Sequence, residues 1–428
     1  MGHMPNPPIP LTTLLGKAVR EVAKLRGGGS ALPGLFVETI DKNFIRRCLD
    51  QLPEGVIVVS GTNGKTTTTK MVVELLEGQG LKVFTNRTGS NFTRGVAAAL
   101  LGSIDNRGKL DADIAVLELD EAHAVHFVAS IQPRYSLLLN VMRDQLDRFG
   151  EIDTTAGMLR AVAEATTDTV VINREDPRLL ALSTDLSAKN VTYFGLDPSL
   201  RQHFPSDDEL RGTSVEIGQL PAALGTLETL KGHTATISLE NTHLTVTLKL
   251  EGIYNVFNSV AAITLTRSVL GSKFDQAKAK VSLESITPAF GRGEKLTVNG
   301  QPLELVLVKN PGGFRLGLRS FDPKGYATMI AINDNYADGR DMSWLWDVDF
   351  ESLKPAISHV TGVRAYDMAL RLQYDEIEIG TVEPNLRQAL SSFIGSNSDR
   401  PKRIYCSYTS MLTLRRELSK YTDVEVVS

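Results

Sequence analysis

A chain of 428 residues with 42% hydrophobic and 22% charged residues has the balance of a globular protein of two or three domains, which excludes extended disorder. The formal net charge of −4 over the whole chain gives no general reason to expect nucleic acid or an anionic membrane as an electrostatic partner. Cys48 and Cys406 are the only cysteines, so they exclude a disulfide framework and a cysteine-rich zinc site. No apolar run reaches the ~18 residues of a membrane span, and we expect a cytoplasmic protein without a transmembrane segment.

The first fifty residues are predicted to form a leader, a short segment that precedes the first domain. They contain one helix-like stretch, LTTLLGKAVREVAKL, and are too short for a typical domain. Residues 1–50 are therefore expected to pack on the domain that follows.

Apolar, β-branched runs alternate with helical stretches from Val56 onward. The runs are VIVVS, LKVFTN, IAVLELD, YSLLLNV, TVVIN and VTYFG. Strands that alternate with helices predict a parallel sheet covered on both faces. The rhythm stops at about 197–250, where TATISLENTHLTVTLKL alternates with period two and predicts an antiparallel hairpin that turns near Glu240 and Asn241.

A second α/β rhythm follows the stretch TPAFGRGEKL. LELVLVKNP, YATMIAIND, EIEIGTV and RIYCSYT indicate a C-terminal domain of ordinary size. The expected fold is α/β, with a leader at 1–50, a middle nucleotide-binding domain at 51–290 that includes a small β excursion, and a C-terminal Rossmann-like α/β domain at 291–428.

The stretch GTNGKTT indicates a phosphate-binding loop. It follows a predicted strand and opens a predicted helix, so backbone N–H groups and the helix N-terminus can hold phosphates. In such a loop Lys65 reaches the terminal phosphates and Thr66 can hold Mg²⁺. The strict pattern requires glycine where Val59 stands, which makes this loop a shorter variant. The residues expected to bind ATP here are Gly61, Thr62, Asn63, Gly64, Lys65, Thr66 and Thr67.

This loop resembles that of the Mur ligase superfamily, which includes the cell-wall peptide ligases and folylpolyglutamate synthase. Those enzymes use ATP to turn a carboxylate into an acyl phosphate, which an amine then attacks. The resemblance implies that Lys65 and Glu118, the latter within VLELDEAH, are catalytic and that Glu118 also binds Mg²⁺. Further residues that it places near the nucleotide are Asn173 and Asp176 of NREDP, Asn255 and Asn258 of GIYNVFNSVAA, and Arg292 of GRGE.

The chain departs from the superfamily pattern near its second metal site. Gln145 stands where the superfamily has a histidine, and an amide oxygen can bind a hard cation but cannot replace an imidazole ligand. Gln145 is therefore a weak candidate for a metal ligand. No lysine follows shortly downstream to match the carbamylated lysine of several members, and the nearby basic residue is Arg160.

RGGGSALPG, RDQLDRFGEID, NDNYADGRDMSWLWDVDFE and YTSMLTLR together resemble the MurT family, the ligase subunits of lipid II isoglutaminyl synthase. The resemblance implies amidation of the D-glutamate α-carboxylate in the lipid II stem peptide, close to the cytoplasmic membrane, with ammonia from a GatD-type glutaminase subunit. It also implies that Asp347, or as second choice Asp349, completes a catalytic triad in that partner. Many members carry a four-cysteine zinc ribbon, whereas residues 196–230 contain no cysteine, so no zinc is expected.

Other interpretations stay open from the sequence. An amino acid could replace ammonia as the nucleophile, as in folylpolyglutamate synthase, or the chain could be a non-catalytic ATP-binding scaffold. Taken one at a time, each residue also has a structural explanation. Glu118 could be a solvated acid at a strand end, and Asn255 and Asn258 could cap a helix. Arg292 could be a charged residue of a linker. The tryptophans of DMSWLWDVDFE could be packed core residues beside solvated aspartates.

Overall fold

The computed structural model describes residues 9–25, 32–86, 92–144, 152–186, 189–210, 218–240, 242–250, 252–287, 292–321 and 323–424. The chain divides into two compact units. The first comprises residues 1–141, 153–248 and 256–286, and the second comprises 142–152, 249–255 and 287–428. The predicted domain bounds of 51–290 and 291–428 remain a proposal.

The first unit is built around strands β1 to β9. The strands are β1 (Val56–Ser60), β2 (Val83–Thr85), β3 (Ile114–Glu118), β4 (Tyr135–Leu138), β5 (Thr169–Asn173), β6 (Asn190–Leu196), β7 (Gly225–Lys231), β8 (Thr234–Leu239) and β9 (Thr242–Thr247). They form one sheet in the order β2-β3-β1-β4-β5-β6-β7-β8-β9. The strands from β2 to β7 pair in parallel, as predicted from the alternation of apolar runs with helices.

Helices accompany this sheet. Those of the first part of the chain are α1 (Ile9–Leu25), α2 (Leu32–Ile40), α3 (Phe44–Leu49), α4 (Lys65–Gly78), α5 (Thr93–Ser103), α6 (Glu121–Val128), α7 (Ile152–Ala165), α8 (Pro177–Thr184), α9 (Asp207–Leu210), α10 (Ile253–Leu270) and α11 (Gln276–Ser285). All five residues of β1 are buried, which is expected of a parallel strand covered on both faces.

The predicted hairpin is present and belongs to the first unit. β8 and β9 pair antiparallel with Leu239 opposite Thr242, and Glu240 turns the chain with a φ of 52°. β7 pairs in parallel with β6 and antiparallel with β8, so these strands extend the central sheet into nine strands. The alternation of the hairpin predicted its pairing, whereas its attachment to β6 through β7 is a long-range contact.

The second unit has a six-stranded sheet. Its strands are β10 (Arg292–Val298), β11 (Gln301–Leu307), β12 (Ala327–Ala331), β13 (Ala356–Thr361), β14 (Glu378–Glu383) and β15 (Lys402–Cys406), in the order β10-β11-β15-β12-β13-β14. Its helices are α12 (Pro311–Ser320), α13 (Ala365–Tyr374), α14 (Leu386–Ser396) and α15 (Tyr408–Leu418), with 3₁₀ turns at Ser343–Asp347 and Glu351–Leu353.

Two separate cores cover the faces of this sheet. One contains Phe314 of α12, Trp344 of the first 3₁₀ turn and Met368 of α13. The other contains Phe393 of α14 and Met411 of α15. Layers of helix on both faces of a mainly parallel sheet confirm the predicted α/β class.

Two strands of this unit were missed by the sequence analysis. β10 forms an antiparallel hairpin with β11, which Asn299 and Gly300 turn with positive φ angles. β13 lies between β12 and β14, and its sequence AISHVT has a polar histidine in the middle. His359 is buried there because Ser358 and Ser392 hydrogen-bond its two ring nitrogens at 2.9 and 3.1 Å.

Candidate functional site

The phosphate-type loop lies between β1 and α4 and depends on its two glycines. Gly61 has a φ of +132° and Gly64 a φ of +87°. A Cβ on Gly61 would lie 3.0 Å from backbone atoms of Asn140, and one on Gly64 would lie 2.8 Å from Oδ1 of Asn258. Both positions therefore require glycine, for conformation and for space.

Asn140, directly after β4, holds the loop in shape. Its Oδ1 accepts the Asn63 N–H at 2.9 Å, its Nδ2 donates to the Asn63 carbonyl at 2.9 Å, and its own carbonyl accepts the Thr62 N–H at 3.0 Å. The sequence analysis missed this residue. The available signal was a polar side chain at the end of LLLN, since parallel neighbours end at the same edge of a sheet.

Lys65 begins α4, and its ammonium group is largely buried. Nζ donates to the carbonyl oxygens of Gly61 at 2.6 Å and Thr62 at 3.2 Å. It also forms an ion pair of 3.1 Å with Glu121, a fully buried carboxylate in the first turn of α6. Glu121 was not identified from the sequence, although it stands three residues after Glu118. The loop therefore places a positive charge where phosphates are bound in loops of this type.

The structure brings together Thr66 and Glu118, the two residues expected to hold Mg²⁺. The Thr66 hydroxyl donates to Oε1 of Glu118 at 2.8 Å. Asn86 fixes the backbone of Glu118 by accepting its N–H at 3.0 Å and donating to its carbonyl at 2.9 Å. A hydroxyl and a carboxylate are hard oxygen donors, the kind that Mg²⁺ binds beside a nucleotide. This pair fits a Mg²⁺ ion.

Asn173 and Asp176 do not bond to the loop itself but to the backbone of the segment that supports it. Asn173 donates to the Leu139 carbonyl at 2.9 Å, and Asp176 accepts the Val141 N–H at 2.7 Å, so both hold the segment that carries Asn140. Asp176 also caps α8. Burial raises the pKa of its carboxyl to about 6, although three backbone N–H groups oppose that shift.

The remaining residues predicted for the nucleotide and metal site are Thr67, Asn255, Asn258, Gln145 and Arg292. Thr67 is buried within α4, and Asn258 lies against Gly64. Asn255 lies in the first turn of α10 and donates its backbone N–H to Gly252 at 3.0 Å. Gln145 and the side chain of Arg292 lie outside the described residues, so their roles stay predictions.

Asp347 and Asp349, the candidates for the partner's triad, differ in their contacts. Oδ1 of Asp349 accepts the Glu351 N–H at 2.8 Å and so caps the following 3₁₀ turn. The carboxylate of Asp347 is half-exposed and, within the described residues, makes no hydrogen bond or ion pair, although its main-chain carbonyl accepts from Arg315. This difference favours Asp347 as the aspartate that is available to another molecule.

The residues around Asp347 are firmly packed. Trp344 is buried beside Phe314, with ring centroids 6.4 Å apart. Trp346 is 49% exposed and packs edge-on against Tyr374, with ring centroids 5.0 Å apart. The two tryptophans therefore differ, because one anchors the segment in the core and the other presents an aromatic surface beside Asp347.

Comparison with known protein families matches both units of the chain. The model of the Mur ligase middle domain matches residues 59–266, and that of the MurT ligase C-terminal domain matches residues 307–411. The loop at Gly61–Thr67 and the Thr66–Glu118 pair lie in the first of these ranges, and Asp347 in the second.

Similar proteins extend this match to nearly the whole chain. The MurT subunit of the glutamine-hydrolysing lipid II isoglutaminyl synthase of Streptococcus pneumoniae is 31% identical, over 96% of each chain. Among solved structures, a pseudomurein peptide ligase type C from Methanothermus fervidus has a TM-score of 0.69 at 16% identity, covering 89% of this chain and 80% of that one. MurF ligase from Thermotoga maritima in complex with ADP has a TM-score of 0.63 at 17% identity, covering 88% and 83%.

The structural likenesses show that the fold is the Mur ligase fold, as predicted. The curated relative is similar over nearly its full length, and both family models fall on the units that carry the corresponding candidate residues. On these grounds the chain belongs to the MurT family of Mur-type ligases.

Proposed function

We propose that this chain uses ATP and Mg²⁺ to amidate the α-carboxylate of D-glutamate in the lipid II stem peptide, giving D-isoglutamine through an acyl phosphate. The observation that carries the proposal is the joint placement of Lys65, Thr66 and Glu118 at the glycine loop of a MurT-family chain. The name of the Streptococcus pneumoniae relative states the corresponding reaction for that protein.

The residues of the loop suit phosphoryl transfer from ATP to a carboxylate. The reaction brings together the negative charges of the triphosphate and of the acceptor, and fixed positive groups lower that barrier. Lys65 would leave Glu121 and the loop carbonyls to contact the phosphates, and the N-terminus of α4 would contribute backbone N–H groups. Thr66 and Glu118 would hold Mg²⁺, which supplies charge neutralisation at the phosphates.

The nucleophile is ammonia, and we propose that a GatD-type glutaminase subunit delivers it. A glutaminase needs an activated cysteine, and thiolate formation requires a lowered pKa. Both cysteines of this chain are buried, and burial raises the pKa of the Cys48 thiol to about 12 and also raises the pKa of the Cys406 thiol. Their chemistry is that of inert core thiols, which supports a separate glutaminase chain.

The surface beside Asp347 supports a protein partner there. Trp346 and Tyr374 form one exposed aromatic pair, and α13 continues this surface with Leu370 and Tyr366 at intervals of four residues. Exposed apolar side chains in such a row mark interaction sites, and aromatic residues are enriched at interface centres. We propose that the glutaminase docks here, so that Asp347 orients the histidine of its Cys–His pair.

One experiment distinguishes the ligase reaction proposed for this chain from its proposed contribution to the partner's catalytic triad. The complex of this chain with a GatD-type glutaminase is assayed for lipid II amidation, with either glutamine or ammonium as nitrogen source. Asp347→Asn is expected to abolish the glutamine-driven reaction while the ammonium-driven reaction remains. Asp349→Asn is the matched control and is expected to retain both. Equal loss of both reactions in Asp347→Asn would refute the shared triad.

An amino acid in place of ammonia is the alternative outcome. Supplying amino acids instead of ammonium to the chain with ATP and lipid II distinguishes a folylpolyglutamate-synthase-like ligase from the proposed amidating subunit. Formation of a peptide product without amidation would favour the former. The proposal places the protein at the cytoplasmic face of the membrane that holds lipid II, with no zinc.

A further inference from the structure

The net charge of the chain is concentrated beside the exposed aromatic pair of the second unit. Residues 346–378 contain seven aspartates and glutamates and three lysines and arginines, a formal charge of −4. The whole chain has 50 acidic and 46 basic residues, also −4, so the charges of all other residues sum to zero. A charge that is confined to one segment creates a local field there, which acts on approaching molecules.

Two stretches of this segment, at its beginning and at its end, lie side by side. The rings of Trp346 and Tyr374 pack edge-on with centroids 5.0 Å apart. The main chain also joins the stretches, because the Glu378 N–H donates to the Pro355 carbonyl oxygen at 2.9 Å. Aromatic and acidic side chains of both stretches thus form one surface, which we call the acidic aromatic surface. It consists of Trp346, Asp347, Asp349, Glu351, Tyr374, Glu376 and Glu378.

Four carboxylates of the acidic aromatic surface have no cation as a partner. Within the described residues, no lysine, arginine or histidine forms an ion pair with any of them. They are Asp347, Asp349, Glu376 and Glu378. Carboxylates that lie near one another repel, and an opposite charge supplied by another molecule relieves that repulsion.

Three cations beside this surface are already engaged. Lys354 forms an exposed pair of 3.8 Å with the glutamate three residues before it. Arg371 is buried and pairs with Asp375, and Arg315 donates to the main-chain carbonyl oxygen of Asp347. The acidic aromatic surface therefore keeps an excess of negative charge.

Exposed aromatic rings stand among these carboxylates. Tyr374 is 70% exposed and Trp346 is 49% exposed. Arg371 of the chain itself already lies 5.5 Å from the centre of the Trp346 ring, so this aromatic pair accepts a guanidinium group. Arginine stacks on aromatic rings and also pairs with carboxylates. An arginine of another protein that reaches Tyr374 would find both kinds of group.

Several other classes of partner carry the wrong charge for this surface. A second copy of the chain would bring two acidic surfaces together, and nucleic acids and anionic bilayers are negatively charged as well. Repulsion disfavours each of these contacts. No helix in the described ranges is long and apolar enough to cross a bilayer. A protein with a basic face is the partner whose charge fits.

We propose that the acidic aromatic surface receives a basic face of the glutaminase subunit, rich in arginine and lysine, and that charge attraction guides assembly of the complex. This inference rests on the proposed function, which places the glutaminase beside Asp347. Opposite charges accelerate the encounter of two proteins, whereas buried aromatic anchors determine how long the complex lasts. The carboxylates should therefore act on the rate of association, and Tyr374 on the rate of dissociation.

Association of the full chain with the GatD-type glutaminase tests the attraction without substrate. The association rate constant is measured on a biosensor from about 50 mM to about 500 mM sodium chloride. It is expected to fall at least about tenfold over this range, since salt screens exposed charges. An association rate constant that does not fall with salt would overturn the proposal.

A double charge reversal locates the attraction on the surface. Glu376→Lys with Glu378→Lys is expected to slow association about tenfold at low salt and to change dissociation little. The matched control is Asp50→Lys with Glu164→Lys, which changes the net charge equally at two exposed residues of the first unit. It is expected to associate nearly as fast as the unaltered chain. Equal association by the two double variants, or faster association by the surface variant, would refute the proposed location.

Tyr374→Ser tests the aromatic anchor. It is expected to dissociate at least about tenfold faster, with an association rate constant close to that of the unaltered chain. Dissociation at the original rate would show that the ring is no anchor. Light scattering that finds a dimer of the free chain, abolished by Tyr374→Ser, would assign the surface to a second copy and overturn the proposal.

Thermal unfolding of each variant shows whether it is folded. If the double variant Glu376→Lys, Glu378→Lys is unfolded, the single substitution Glu376→Gln takes its place and is expected to slow association at low salt. The salt dependence of the unaltered chain requires no substitution, so its absence would overturn the proposal in any case.

The charge attraction and the proposed reaction can fail separately. Ammonium-driven amidation by the double variant is expected to equal that of the unaltered chain. Its glutamine-driven amidation is expected to fall when the glutaminase is limiting and to recover when the glutaminase is in excess. Salt-dependent association without any amidation would overturn only the proposed function. Glutamine-driven amidation by a complex whose association does not respond to salt would overturn only the charge attraction.

Discussion

Arg371 donates a 2.7 Å hydrogen bond from Nη2 to the carbonyl oxygen of Val348, the residue that follows Asp347. Its Nη1 pairs with Asp375 at 2.6 Å, and the guanidinium lies over the rings of Trp346 and Phe350. Asp375 in turn accepts the Phe350 N–H at 3.1 Å. A single buried arginine thus fixes the backbone on the C-terminal side of the candidate triad aspartate.

Replacement of Arg371 should affect the glutamine-driven reaction selectively. Arg371→Met leaves the partly buried carboxylate of Asp375 without its cation, which should lower the free energy of unfolding by about 1–3 kcal/mol. It also frees the segment that orients Asp347. We expect the ratio of glutamine-driven to ammonium-driven amidation to fall in the complex, and Arg371→Lys to give an intermediate value. An unchanged ratio in folded Arg371→Met would show that the arginine has no positioning role.

Glu121 should compete with phosphates for Lys65. In the ion pair seen here the buried carboxylate already neutralises the ammonium group. Glu121→Gln removes that competitor, so we expect ADP to bind severalfold more tightly by calorimetry while the thermal stability of the free chain decreases. Lys65→Ala should lose ADP binding, and Glu77→Gln, on an exposed site of α4, should change neither property. Weaker ADP binding by Glu121→Gln would assign this residue a direct role toward the nucleotide.

Asp176 should make stability depend on pH. Its pKa is raised to about 6 from an ordinary value of 3.8, so the folded state holds the proton more tightly than the unfolded state does. The stabilisation is complete below the unfolded pKa and is lost as pH rises through about 6, a change of about 3 kcal/mol. Asp176→Asn keeps a cap acceptor but cannot ionise. In urea unfolding, its stability relative to the unaltered chain should increase from pH 4 to pH 7. A difference that is constant with pH would contradict the raised pKa.

Removal of the metal should abolish catalysis without changing the stability of the fold. Excess EDTA is expected to abolish ATP-dependent amidation, and added Mg²⁺ but not Zn²⁺ to restore it. Thr66→Ala and Glu118→Gln should raise the Mg²⁺ concentration needed for half-maximal rate by at least about tenfold, because losing a ligand should cost no less than losing one of its outer partners. The thermal midpoint should not change with EDTA, since no group of three or more potential ligand side chains in the described ranges could hold a metal. A large fall of the midpoint would indicate a structural metal.

Local sequence signals predicted the core of the site, whereas its supporting contacts depend on distant pairing. GTNGKTT indicated the loop and Thr66, and the resemblance of VLELDEAH to the superfamily implied Glu118, which the structure places at hydrogen-bond distance from Thr66. The contact of Glu121 with Lys65 and the clamp of Asn140 on the loop require β3 and β4 to flank β1. The spacing of motifs along the sequence does not predict this order of strands in the sheet.

The same distinction applies to the fold. Runs rich in β-branched residues identified most strands, whereas β13 was missed because His359 interrupts its apolar run and is compensated only by Ser358 and Ser392 in three dimensions.

The most direct test of the central claim follows nitrogen from glutamine to the product. The complex of this chain with a GatD-type glutaminase is given ATP, Mg²⁺, lipid II and glutamine with an isotopically labelled amide nitrogen. Mass analysis of the stem peptide is predicted to find the label in the α-amide of D-isoglutamine, and only when ATP is present. Lipid II that keeps its free α-carboxylate under these conditions, with both subunits folded and assembled, would contradict the account.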